Sequence, residues 1–129
     1  MKRTNLTLLL LPENYSICRV GTEAGIPPWA LAGDFYSITR TKGELSLVCS
    51  EEFVPVGVQV EKGWRCLQVS GPLDFSLTGI LASLTNSLAE AGISVFAIST
   101  FDTDYLLVKA DNLKRAVLKL EEAGHRLVY

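Results

Sequence analysis

The sequence predicts an α+β protein of two ferredoxin-like (βαββαβ) modules packed side by side, the first degenerate. Three observations predict it. Strand-like and helix-like apolar patterns alternate in the second half. Part of that pattern recurs sixty residues earlier. The length of 129 residues suits one ordinary domain or two very small ones. Module boundaries fall at residues 1–62 and 63–129.

The second module reads clearly. Trp64-Arg65-Cys66-Leu67-Gln68-Val69 alternates as a strand. Gly71-Pro72-Leu73-Asp74 breaks it and opens a helix, with Asp74 or Ser76 as N-cap. Leu77, Ile80, Leu81, Leu84 and Leu88 then form one apolar stripe, and Gly92 supplies a left-handed stop. Val95-Phe96-Ala97-Ile98 and Tyr105-Leu106-Leu107-Val108 are buried strands joined through a turn at Asp102-Thr103. Asp111 can cap a second helix, whose stripe is Leu113, Ala116, Val117 and Leu120 and whose end is Gly124. Residues 126–129 can form the last strand.

The first module repeats this in reduced form. Ile38-Thr39 aligns with Ile98-Ser99, Glu44 with Asp104, and Leu47-Val48 with Leu107-Val108. Its first helix shrinks to a piece around Pro27-Pro28-Trp29-Ala30-Leu31. Its second shrinks to about one turn at residues 50–53. Ahead of these, the run Leu8-Leu9-Leu10-Leu11 ends at Pro12, and Ile17-Cys18-Arg19-Val20 reads as a further strand. A sixty-residue module buries a marginal core alone, so the halves are expected to pack as one unit.

Composition narrows the function. Apolar residues make up 48% and charged residues 20%, a globular balance. A net charge of −2 with scattered basic residues leaves no footprint for nucleic acid. The Leu8–Leu11 run is too short to span a bilayer, and no small-residue cleavage site follows it, so no membrane partner is expected. Cys18, Cys49 and Cys66 are odd in number, widely spaced and set in apolar runs. They read as reduced thiols packed as small hydrophobes, which implies a cytoplasmic protein with neither disulfide nor metal.

Catalytic constellations are missing. His125 is the sole histidine and reads as a helix cap or surface residue, since cations suit helix C-termini. There is no P-loop or GxGxxG fingerprint, so no cofactor is implied. Glu51-Glu52 and Glu121-Glu122 read as solvated faces. The expectation is a non-enzyme. Two segments are too particular for scaffolding alone. One is the 71–79 helix start, whose free N–H groups can hold a carboxylate or simply need a cap. The other is Ser99-Thr100-Phe101-Asp102-Thr103-Asp104. A hairpin turn accounts for Asp102 and Thr103. Asp104, at the head of an apolar strand, is either a turn residue or an acceptor for an ammonium or guanidinium group.

These segments resemble the ACT-domain family, and in particular the paired-ACT proteins of the CASTOR type, the cytosolic arginine sensors and their small bacterial relatives. The matching words are Gly71-Pro72-Leu73-Asp74-Phe75, Gly79-Ile80, Leu88-Ala89-Glu90-Ala91-Gly92-Ile93-Ser94-Val95-Phe96, and Ile98-Ser99-Thr100-Phe101 followed by Asp104-Tyr105 and Leu107-Val108. The first half resembles the degenerate leading ACT module of that family in element order, through Trp29 and the 38–48 hairpin. The resemblance implies a regulatory protein that binds an amino acid or similar metabolite between modules. Asp74, Phe75, Thr100, Phe101 and Asp104 would grip the ligand from one module, and Ser94 and Val95 would complete the site from a facing one. With one two-module stretch here, that site implies a homodimer, and output through a downstream protein partner. Leu77 stands where the arginine sensors carry a glutamate, and Asp74 replaces their loop glycine. The other reading is an interaction module that has lost its ligand.

Overall fold

The computed structural model describes residues 5–71 and 79–129. The chain runs through β1 (Thr7–Val20), a 3-10 turn (Pro28–Leu31), β2 (Ser37–Arg40), β3 (Leu45–Ser50), a 3-10 turn (Glu51–Phe53) and β4 (Gln59–Val69). It continues with α1 (Ile80–Glu90), β5 (Phe96–Ser99), β6 (Asp104–Lys109), a 3-10 turn (Ala110–Asn112), α2 (Leu113–Glu122) and β7 (Arg126–Val128). These elements form two compact units. The small unit is Glu13–Trp64; the large unit joins the residues before Glu13 to Arg65–Tyr129.

In the large unit α1 and α2 bury Leu84, Leu88, Ala116, Val117 and Leu120 against Leu67 and Val69 of β4, Leu106 and Val108 of β6, and Leu8 of β1. The expected helical stripes account for this core from Ile80 onward. β5 and β6 pair antiparallel, with Ser99 opposite Asp104. β6 lies beside β4, and β4 beside β1. One feature departs from a self-contained βαββαβ unit, in which the last strand closes on the first strand of the same module. Here the start of β1 lies between them. Ser70 N–H donates to the Thr7 carbonyl at 2.8 Å on one side, and β7 runs parallel on the other, with Thr7 opposite Arg126.

The small unit keeps the strands and loses the helices. β2 pairs with β3, and β3 with the second half of β1, both antiparallel. Cys18, Ala30, Leu45, Leu47 and Cys49 form one buried cluster, with Val20, Trp29 and Ile38 packed against them, and Tyr15 and Val48 are buried besides. Both shortened helices are single 3-10 turns, in the places the sequence indicates.

Four expectations need correction. β1 is one strand of 14 residues that passes through Pro12. Along its edge β7 reaches Leu9 and β3 begins opposite Tyr15, so Pro12 falls between partner strands, where a missing N–H does no harm. β4 begins at Gln59, five residues before Trp64. α1 begins at Ile80, with Gly79 as N-cap in the left-handed region at φ 75°; the expected caps Asp74 and Ser76 lie outside the described residues. Asp111 sits inside the 3-10 turn, and Asn112 takes the N-cap position of α2 without a side-chain hydrogen bond.

Candidate functional site

The turn between β5 and β6 is built by side chains as much as by backbone. Thr100 N–H donates to the Thr103 carbonyl at 2.8 Å, and the Thr100 hydroxyl donates to the same oxygen at 3.1 Å. Thr103 N–H donates back to Thr100 Oγ1 at 3.3 Å. The Thr103 side chain is buried and its hydroxyl donates to the Val69 carbonyl at 2.7 Å. At the mouth of the turn, Ser99 Oγ donates to Asp104 Oδ1 at 2.6 Å. That bond orients the half-buried carboxylate beside exposed Thr100 and Phe101, the latter 80% exposed.

The small unit contains the same turn. Arg40 stands opposite Leu45 as Ser99 stands opposite Asp104, and each pair closes a four-residue connection. Thr41 N–H donates to the Glu44 carbonyl at 2.9 Å, as Thr100 does to Thr103. Register therefore matches Leu45 to Asp104 and Glu44 to Thr103, one residue off the sixty-residue alignment of the sequences. The shift is informative. Where the small unit buries a leucine, 3% exposed, the large unit presents an acid. A turn that only had to close would have no need of that exchange.

Thr100, Phe101 and Asp104 thus come together. Ser94 and Val95 do not join them, because they precede β5 while the turn follows it. Val95 and Thr100 are five positions apart along extended chain, on the order of 17 Å. Ser94 is exposed, and Val95 packs partly against the large unit's core. Asp74 and Phe75 lie outside the described residues, as does Leu77.

Other titratable groups serve the fold. His125 is a correction: it is not a charged cap. It is buried, 6% exposed, and its Nδ1 accepts the Leu6 N–H at 3.1 Å, pinning the approach to β1. That geometry calls for the neutral ring, and burial holds its pKa below the ordinary 6.5. Cys18, Cys49 and Cys66 are free and buried, and burial pushes the thiols of Cys49 and Cys66 up to about 12. They are packing residues and not nucleophiles. Glu51 departs from the solvated face expected of it, since its Oε1 accepts the Gly63 N–H at 2.7 Å. It lines a pocket of about 220 Å³ with Glu13, Asn14, Ser50 and Glu52, where Ser50 Oγ donates to Glu13 Oε2. Sequence reasoning missed this pocket, since its residues lie far apart along the chain. No cluster of His, Cys, Asp and Glu suited to a metal occurs among the described residues. No helix among them is long and apolar enough to cross a membrane.

The large unit's two helices over its strands, with a polar hairpin turn at the strand ends, define an α+β module. The chain belongs to the ACT-domain family: the model for that domain matches residues 59–122, and a second model, described as an N-terminal domain, matches residues 13–57. Among curated relatives, the mouse protein named cytosolic arginine sensor for mTORC1 subunit 1 is 31% identical over 108 residues, covering 78% of this chain and 32% of its own length. The chain therefore spans about a third of that relative. A solved protein from Agrobacterium tumefaciens is 41% identical with TM-score 0.93, covering 98% of this chain and 94% of its own. The regulatory subunit of aspartate kinase from Thermus thermophilus shares the fold, with 13% identity, TM-score 0.63, and 91% and 96% covered.

Proposed function

We propose that this chain is a cytoplasmic regulatory protein that binds a free amino acid or a similar small metabolite and passes the signal to a protein partner. The observation that carries this reading is Asp104, an acid at a strand head held by Ser99 in the position where the small unit has Leu45. One oxygen is fixed, and the second is placed to accept from an ammonium or guanidinium group. A relative named as an arginine sensor supports the ligand class. The start of α1 supplies the complement for a carboxylate, since Gly79 brings no side-chain acceptor to its N–H groups.

In this reading two copies face each other about a two-fold axis. Ser94 and Val95 of one copy then meet Asp74, Phe75, Thr100, Phe101 and Asp104 of the other, which resolves their separation along β5 within one copy. The reaction chemistry of an enzyme plays no part.

Calorimetry and thermal shift against the twenty amino acids test the reading on wild type and Asp104→Ala. A charge-assisted hydrogen bond at Asp104 predicts binding weakened by roughly one to two orders of magnitude in the variant, with little change in unliganded stability. If no amino acid raises the wild-type melting temperature, the chain is better described as an interaction module.

A further inference from the structure

We infer that Thr103 is a positioning residue, whose hydroxyl holds the 99–104 turn against the end of β4 and thereby fixes where Asp104 stands in the ligand site. The inference rests on the amino-acid-binding reading above and adds a residue that this reading does not use.

The argument starts from position. β4 ends at Val69, and the described chain continues from it through Ser70 and Gly71. The 99–104 turn presents Asp104 from another part of the unit. Thr103 Oγ1 reaches across 34 residues of chain to the Val69 carbonyl at 2.7 Å, in a buried setting. Its own backbone is fixed from the other side, its carbonyl accepting from Thr100 N–H and Oγ1 and its N–H donating to Thr100 Oγ1. β6 already lies beside β4, and the Thr103 hydroxyl adds a side-chain tie at the turn itself, one residue before Asp104.

The matching residue of the small unit does the same job in a weaker way. Glu44 pairs with Arg19 of β1 at 3.5 Å, with the two side chains 45% and 51% exposed, and Arg19 Nη2 donates to the Gly43 carbonyl at 2.8 Å. An exposed ion pair on two long side chains tolerates movement and contributes little. A short, buried hydroxyl bond fixes geometry to a few tenths of an ångström. The large unit, which presents the acid, has the rigid tie. The small unit, which buries a leucine there, has the loose one. Binding groups need support of that rigidity, because a site held loosely loses its ligand without losing its fold.

Calorimetry with the amino acid giving the largest wild-type thermal shift, on Thr103→Val and Thr103→Ser, tests this. Thr103→Val keeps the shape and removes the hydroxyl; its affinity should fall about tenfold. Thr103→Ser should restore affinity to within about twofold of wild type, since the donor remains. A fall in melting temperature for Thr103→Val with unchanged affinity overturns the inference and leaves a purely structural bond. Amide exchange on the wild type supplies a measurement that needs no variant to fold. Saturation with the same amino acid should slow exchange at Thr100 and at Ser70 and Gly71 together, and protection confined to one segment overturns the tie. A wild type that answers no amino acid sinks the binding reading and this inference with it, whereas a response unaffected by Thr103→Val sinks this inference alone.

Discussion

The two units share a strand plan and differ in what covers it. The large unit lays two helices, Ile80–Glu90 and Leu113–Glu122, over its strands. The small unit has a 3-10 turn in each of those places, and one of its buried clusters is Cys18, Ala30, Leu45, Leu47 and Cys49. A unit that spans only Glu13–Trp64 leaves little stabilisation to spare once chain ordering is counted. The lesson is that a hairpin persists where its helices are reduced to single turns, whereas the acid and its tie do not recur with it. The hairpin is still present in both units. The acid and its buried tie are present in one.

The largest effect expected from this comparison lies under α1. Leu84 is fully buried among both helices and the sheet, so Leu84→Ala should lower stability by about 2–5 kcal/mol in denaturant titration. In the small unit the corresponding turn carries Leu31, which is 45% exposed. Leu31→Ala should change stability by no more than about 0.5 kcal/mol. Comparable losses at both positions would mean that the turn at Pro28–Leu31 is as important to packing as the helix it replaces.

A smaller effect is expected at the rim of the small unit's acidic pocket. Gly33 has φ 88°, and a Cβ there would stand 2.7 Å from Ser50 Oγ and 3.5 Å from Glu13 Oε2. Gly33→Ala should therefore cost about 1–3 kcal/mol, from backbone strain together with displacement of the Ser50–Glu13 bond. Gly57 has a similar φ of 95° with open space around its Cβ direction. Gly57→Ala isolates the backbone contribution, about 1–2 kcal/mol. If both variants melt together, the approach to Ser50 has no energetic weight.

Much of this was legible in the sequence, for identifiable reasons. The stripe from Ile80 to Leu88 and the stripe Leu113, Ala116, Val117 and Leu120 each carry a period that only a helix satisfies, and both helices are there. The 3-10 turns were legible from Pro27-Pro28 and from the short space between β3 and the next apolar run. The path of β1 was not, because Pro12 reads as a breaker unless its partner strands are known to leave that position open. The insertion of β1 beside β7 is a contact across nearly the whole chain, and no local pattern encodes it. At the site, the words containing Thr100, Phe101 and Asp104 were visible, but Thr103 looked like an ordinary turn residue. Its bond to Val69 depends on register, which the sequence alignment missed by one residue.

The smallest effect concerns pH and again separates the units, because the sole histidine belongs to the large one. His125 Nδ1 accepts the Leu6 N–H, and Nε2 is buried without a hydrogen-bond partner. Protonation would put a second N–H where an acceptor is required and a charge where water is excluded. Burial therefore holds the folded-state pKa below the ordinary 6.5. Above that value the ring is neutral folded or unfolded, and His125 adds no pH dependence. As pH falls below it, the unfolded chain takes up a proton that the folded chain refuses. Stability is then lost progressively until the lower folded-state pKa is reached, after which this contribution levels off. Denaturant titrations at pH 7.5, 6.5, 5.5 and 4.5, values spanning about one unit on one side of the ordinary pKa and two on the other, should show that decline in wild type. His125→Gln keeps an acceptor for Leu6 N–H and removes the titration, so its decline above the carboxylate range should be flatter. Parallel curves for the two proteins would mean that the ring is protonated in the folded state, and that the strand beginning at Thr7 is held by something other than His125.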